Sequence, residues 1–426
     1  MTGLEKEKGA TRRSALWQNR DFLRFWSGET LSLFGSQITT LALPLTAVTV
    51  FGAGPSELGL LGFVTWFPYV VFALPFGVWV DRTRRRPMMI ASNVVRMLLI
   101  GLVPLLAALG RLEFVSLVVI TAAVGTASVL FDVGWMSYVP TLVRDRDFLV
   151  EANGKLGATS AAATAAGPGL GGLLVTALTA PIAMALDAVS YLVSVVSLLL
   201  IKTREPRPER KDGAPRRLLA ELGEGLRWVL GNRYLWQIAL FGCLCNFLSN
   251  ATNTLFLLYA LQDNGLPPGL IGLVLSIGAV GGIIGASVSG RVLRRLGVGR
   301  TYAIFMATTF LGLLLVPVAG GPRPVVLIVF FVAYFLAYLG VSVANVVVTS
   351  LRQIVTPHAL LGRMNAAMRT LLYAGAALGT AAAGLLGDEL GIRSALWLIA
   401  AGSVAMIVTV GLSSITRLRE MPAAPE

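Results

Sequence analysis

Three carboxyl side chains, Glu29, Asp132 and Asp187, stand inside long apolar runs of the chain, where an acid needs a reason to be. At the centre of a helix in hydrocarbon a charged side chain costs roughly 2.5–3.5 kcal/mol on insertion scales. A carboxyl taken out of water holds its proton more firmly, and an acid that loads and unloads near neutral pH is what coupling to a proton gradient requires. Glu29 and Asp132 are therefore the candidates for a proton site. A structural alternative stands beside each: Glu29 as an interfacial acid paired with nearby Arg24, and Asp132 as the partner of Arg96 in a salt bridge. Asp187 is read as structural. Other chemistries are poorly supplied. His358 is the single histidine, and Cys243 and Cys245, the only cysteines, share one apolar stretch, so neither a metal site nor a disulfide framework is expected. No nucleotide-binding loop and no intramembrane His–Asp pair points to an ATP-driven pump or an enzyme, and no cofactor is expected.

Neutral polar residues extend the pattern. In hydrocarbon such groups must face protein or a water-filled cavity, so their helical phase shows where a cavity lies. The first apolar run carries Glu29, Ser32, Ser36 and Thr40; the fourth carries Thr121, Gly125, Ser128 and Asp132. The seventh carries Asn246, Ser249, Asn250 and Asn253, and the tenth Tyr334, Tyr338 and Asn345. Each set recurs at spacings of about three, four or seven, hence on one helix face. A cavity lined by Ser36, Thr40, Ser128, Asn246, Asn250, Asn253, Tyr334, Tyr338 and Asn345 suits neutral or weakly charged small molecules.

The elements that must position these residues follow from composition. Of 426 residues 55% are hydrophobic and only 13% charged, with mean hydropathy +0.76. A soluble chain carries nearer about 25% charged residues. Crossing ~30 Å of hydrocarbon takes roughly 20 mostly apolar residues. Twelve such segments are expected, at 24–50, 57–80, 88–110, 113–139, 153–178, 181–201, 235–261, 268–291, 301–320, 324–350, 365–387 and 392–415. The fold class is thus all-α and integral to a membrane. The long charged connection 202–233 holds Pro206, Pro208 and Pro215, then Leu218, Leu219, Leu222, Leu226 and Val229 at helical spacing, which predicts an amphipathic helix on the membrane surface.

The net charge of +13 could suggest nucleic acid, but its distribution argues for topology instead. With both termini in the cytoplasm, only Arg111, Arg323 and Arg393 of the 35 lysines and arginines fall in outer loops, and Arg96 and Arg369 fall within spans. That asymmetry is the positive-inside rule, and no nucleic-acid partner is needed to explain the basic balance. The chain is also duplicated. Asn19-Arg20 recurs as Asn232-Arg233, Gly77 as Gly290, Asn153 as Asn365, and Gly167 and Gly172 as Gly379 and Gly384, all at nearly one offset. This divides the chain into a six-helix unit over 1–201, a linker over 202–233 and a second six-helix unit over 234–426. Transporters built from such repeats bind substrate between the halves near the bilayer midplane.

Two motifs sharpen the reading. Between the second and third spans lies GVWVDRTRRR, in which Gly77, Asp81, Arg82 and Arg86 fit Gly-x-x-x-Asp-Arg-x-x-x-Arg. Gly77 allows close helix packing, Asp81 can accept from a neighbouring helix N-terminus, and the arginines can bridge to adjacent helices. The fifth span carries Gly154, Ala163, Gly167, Pro168, Gly171 and Gly172. Small residues at that spacing let a neighbouring helix approach closely.

On these residues the chain resembles the major facilitator superfamily. The resemblance implies that the first motif latches the two halves in the outward-facing state, with only the first copy acting, because Arg294 replaces the acid in the second. The Gly-Pro-x-x-Gly-Gly core resembles the antiporter signature of drug exporters. VPTLVRDRDFLVEAN (139–153), NRDFLRFW near the start and DAVSYL in the sixth span are similar to the branch containing macrolide-efflux and enterobactin-type siderophore exporters. The expectation is a monomeric, proton-coupled exporter of small amphipathic compounds in the cytoplasmic membrane, or alternatively a dedicated exporter of one siderophore or secondary metabolite.

Overall fold

The computed structural model describes residues 16–143, 145–205, 218–357 and 360–418, and among these there is no strand. The helices are α1 (Arg20–Phe51), α2 (Pro55–Arg82), α3 (Arg85–Ala108), α4 (Phe114–Leu142), α5 (Arg146–Ala177) and α6 (Ala180–Leu200). Next come α7 (Leu218–Gly231), α8 (Arg233–Leu258), α9 (Pro268–Leu315), α10 (Arg323–Ile354), α11 (Leu361–Leu390) and α12 (Ile392–Gly411). In hydrocarbon a helix is the open-chain structure that satisfies its own backbone polar groups, which is why the apolar runs take this form. Large apolar side chains such as Leu98, Val115 and Leu385 are more than 60% exposed, a surface that suits lipid and not water.

Nine helices among the described residues are long and apolar enough to cross a membrane by that measure alone. One of them, Pro268–Val318, runs 51 residues and makes two crossings. It breaks at Gly297, whose φ of 76° and ψ of 175° are open essentially to glycine alone. The loop expected between 291 and 301 is thus this single break. α5 and α8 are also long enough, but their glycine, threonine and asparagine stripes lower their hydropathy. They complete twelve crossings.

The sequence duplication has a structural basis. Asn19 caps α1, accepting from the Phe22 N–H at 3.0 Å, and Asn232 caps α8, accepting from Tyr234 and Leu235 N–H at 2.9 and 3.2 Å. Asn19 also donates to the Leu142 carbonyl at 3.1 Å, tying the start of α1 to the end of α4. Among the described residues, the two most extensive contacts between the halves are repeat equivalents. On α2 against α11, a Cβ at Gly59 would stand 2.8 Å from the Gly384 Cα. On α9 against α5, a Cβ at Gly272 would stand 3.1 Å from the Gly172 Cα. Both contacts lie at the end where α1 finishes and α12 begins. At the opposite end, which carries the arginine-rich loops, a Cβ at Gly77, Gly154 or Gly157 would meet nothing within 4 Å. The halves therefore meet at one end and part at the basic end.

α7 is amphipathic, with Val229 fully buried, yet it docks on protein: Glu224 pairs with Arg363 at 2.6 Å, and Gly225 sits against the Arg363 backbone at the base of α11.

Candidate functional site

A cavity of about 680 Å3 lies between the halves. Its charged groups all come from the first six helices: Glu29 on α1, Arg96 on α3, Asp132 on α4 and Asp187 on α6. Glu29 is 6% exposed and its Oε2 has no hydrogen-bond partner among the described residues. The Arg24 alternative is excluded, because Arg24 pairs with Asp21 at 2.9 Å and donates to the Leu200 carbonyl at 2.8 Å. The salt bridge expected between Asp132 and Arg96 is not formed within 4 Å among the described residues. Asp132 Oδ2 instead accepts from the Tyr69 hydroxyl at 2.8 Å. The Arg96 guanidinium lies over Phe131 at 4.2 Å and Tyr191 at 4.6 Å and donates to Asn93, which in turn donates to Ser194 at 2.8 Å. Rings and an amide hold the cation in the position a carboxylate was expected to hold it.

Asp187 is fully buried and accepts from Thr39 at 2.5 Å and Ser190 at 3.0 Å, the bonding of a structural acid, although it also borders the cavity. Ser36 shares a hydrogen bond with Tyr191 at 2.9 Å; Thr40 and Ser128 line the same space. From the C-terminal half come Asn250, Asn253 and Tyr338. A second cavity of about 170 Å3, between α8, α9 and α10, takes Asn246 and Tyr334, with Asn253 and Tyr338 bordering both. Tyr334 donates to Asn253 at 2.9 Å across that wall. Asn345 is a correction. It shares the face of Tyr338 but lies about two turns nearer the basic end, is exposed, and lines neither cavity.

The first motif sits at the basic end, and the Gly167–Gly172 core of the second lies toward the closed end. Gly77 packs against no neighbour, contrary to expectation, because the halves are apart there. Arg86 serves its own half: it donates to the Leu198 and Leu199 carbonyls at 2.9 and 3.0 Å, while Glu205 accepts from the Arg85 and Arg86 N–H groups at 2.8 and 3.1 Å. Each helix end thus receives the charge its dipole favours. Arg82 is exposed, and the side chain of Asp81 lies outside the described residues, as do His358 and Arg144. In α5, Gly167 seats against Gln37 of α1, a Cβ at Gly171 would stand 3.2 Å from the Ile38 Cα, and Gly172 meets Pro268 and Gly269 of α9. Pro168 lies inside α5 and its carbonyl faces Gly272. Gly154 contacts nothing comparable, being at the parted end.

Sequence reasoning missed the place of Arg96, Tyr69, Tyr191 and Asp187 at the cavity. Ser92, Asn93 and Arg96, at helical spacing in the third span, were a polar stripe that could have shown a fifth contributing helix.

A twelve-crossing bundle of repeated halves around a polar cavity defines a membrane transporter by architecture. The Major Facilitator Superfamily profile matches residues 25–356 and 240–425, and the chain belongs to that family. It is a multi-pass membrane transporter of small molecules, not an enzyme. The chain is 24% identical over 403 residues to the multidrug efflux pump Tap of Mycolicibacterium fortuitum, covering 92% of this chain and 94% of that protein. It is also 24% identical over 415 residues to macrolide efflux protein A of Streptococcus pyogenes, covering 94% and 97%. Among solved structures it is similar to a bacterial homologue of the iron transporter ferroportin in an inward-facing state, with TM-score 0.74, 18% identity, and 92% and 98% coverage.

Proposed function

We propose that the protein exports small amphipathic compounds or drugs across the cytoplasmic membrane in exchange for protons, by alternating access of the units 1–201 and 234–426 joined by the linker 202–233. The observation that carries this reading is the cavity between the halves, in which Glu29 and Asp132 share buried space with a single arginine. The two carboxyls give the site protons to load and release. The C-terminal wall of asparagines and tyrosines offers neutral hydrogen bonds and ring faces to a substrate. Relatives over nearly the whole chain are efflux pumps for drugs and macrolides, which supports export over uptake. The arginine distribution supports cytoplasmic termini. With that orientation the structure is open to the cytoplasm and closed to the outside, and one copy contains the complete cavity.

The test is ethidium efflux from energised cells, with and without a protonophore. Efflux that collapses with the proton gradient is the expected result. Efflux that survives the protonophore contradicts proton coupling, and absence of efflux for ethidium and for a macrolide contradicts drug export.

A further inference from the structure

We propose that Trp66, Tyr69 and Tyr373 form a clasp between the halves, and that Asp132 holds it shut through the Tyr69 hydroxyl. The clasp spans the α2–α11 seam. Trp66 of α2 stacks on Tyr373 of α11 with centroids 5.7 Å apart and planes 19° from parallel. Tyr69, one turn further along α2, lies 4.7 Å from the same ring. The seam is held toward the closed end by Gly59 on Gly384 and by Gly62 on Thr380. The aromatic cluster comes next, before the helices part toward the basic end. Trp66 and Tyr69 also line the large cavity, so a substrate lying there meets them directly.

Tyr69 belongs to two systems at once. Its ring is in the clasp, and its hydroxyl donates to Asp132 Oδ2 at 2.8 Å. A hydrogen bond to an ionised carboxylate is roughly twice as strong as one to a neutral acceptor. Ionised Asp132 therefore fixes Tyr69 in the position from which it grips Tyr373, and a protonated Asp132 grips it less. The charged and titratable groups facing Asp132 are Arg96 on α3, Glu29 on α1, Tyr69 on α2, Tyr191 on α6 and Arg369 on α11. Arg369 sits one turn from Tyr373 with its guanidinium 5.7 Å from that ring, so the second half also carries a group that feels the charge on Asp132.

The consequence deepens the exchange reading and rests on it. A carrier that has released its proton and holds no substrate keeps the clasp shut and cannot return empty, which would waste the gradient or leave the cycle uncoupled. A proton on Asp132, or a substrate that takes its place beside Tyr69, releases the clasp. Tyr69 and Tyr373 are positioning residues in this scheme, acting through Asp132 and through the seam.

The experiment reads the closed end directly, without substrate. Nitroxides are placed at R111C, between α3 and α4, and R393C, at the start of α12; both positions are exposed, and one lies on each half. The full-length protein, with C243A and C245A, is reconstituted in nanodiscs and the interlabel distance measured at mildly alkaline and mildly acidic pH. In the parent protein a longer-distance population grows as the pH falls. In Y69F, which keeps the ring and loses the hydroxyl, the distribution is the same at both pH values. Y373L behaves like Y69F, and Y373F, which keeps the stack, behaves like the parent. A parent protein that ignores pH, or a Y69F protein that responds as the parent does, overturns the clasp. The flat response expected of Y69F excludes Glu29 as the source of the pH response, since Glu29 is intact in that variant. Failure of the exchange reading is seen separately, as protonophore-resistant or absent efflux by the parent.

Discussion

Arg96 governs what the three cavity carboxyls can do. It is 5% exposed and lies between two rings, so its planar group is held by stacking as much as by charge. Lysine keeps the charge but cannot stack in the same way. R96K is therefore expected to lose about tenfold in transport rate, ~1.4 kcal/mol, which lies within the roughly 0.5–2 kcal/mol range of a cation–π contact. Initial efflux rates at matched expression check this, and unchanged rates would show that the charge alone suffices. Glu29 and Asp132 differ in their bonding: Asp132 has the Tyr69 hydroxyl, while Glu29 Oε2 has no hydrogen-bond partner among the described residues. E29Q and D132N are each expected to reduce gradient-driven efflux to background while leaving substrate binding within about tenfold of the parent, because neutral amides keep the shape of the site. Full activity in both would remove these residues from the coupling mechanism.

At the scale of elements, the close approaches decide which end of the bundle is shut. The α5–α9 contact leaves Gly272 no room for a side chain against the Pro168 carbonyl and Gly172. G272V is expected to disfavour the closed end by roughly 1–3 kcal/mol, the usual cost of overpacking. It would shift the same interlabel distance toward the longer population at every pH, and an unchanged distribution would contradict the packing argument. Helix starts are a separate device. N19A and N232A should each lower stability by about 1 kcal/mol through loss of a cap, read as a lower melting temperature in detergent. N19A should be the more damaging, since Asn19 also ties α1 to the Leu142 carbonyl.

For the whole molecule, the apolar runs and the asymmetry of arginine made the spans and their duplication legible in the sequence. Asn19 and Asn232 stood out by recurring at the repeat offset, whereas Gly59 and Gly272 passed unnoticed among 46 glycines. Polar phase placed Glu29, Ser36, Thr40, Ser128, Asp132, Asn250, Asn253 and Tyr338 at the large cavity. It failed for Asn345, because phase fixes a face and not a depth along the helix. It also missed Tyr69 and Tyr373, whose roles arise from contacts between helices far apart in sequence. The Arg96–Asp132 pair was inferred from opposite charge alone, and the aromatic bed that holds Arg96 was not visible in its own span.

Proton exchange through this cavity is tested most directly in proteoliposomes loaded with a pH-sensitive dye, with purified protein and ethidium as the transported cation. An imposed pH gradient should drive ethidium uphill, and an ethidium gradient should move protons the opposite way; D132N should do neither. Uphill ethidium movement by D132N equal to the parent, or ethidium flux with no proton movement, would contradict the account.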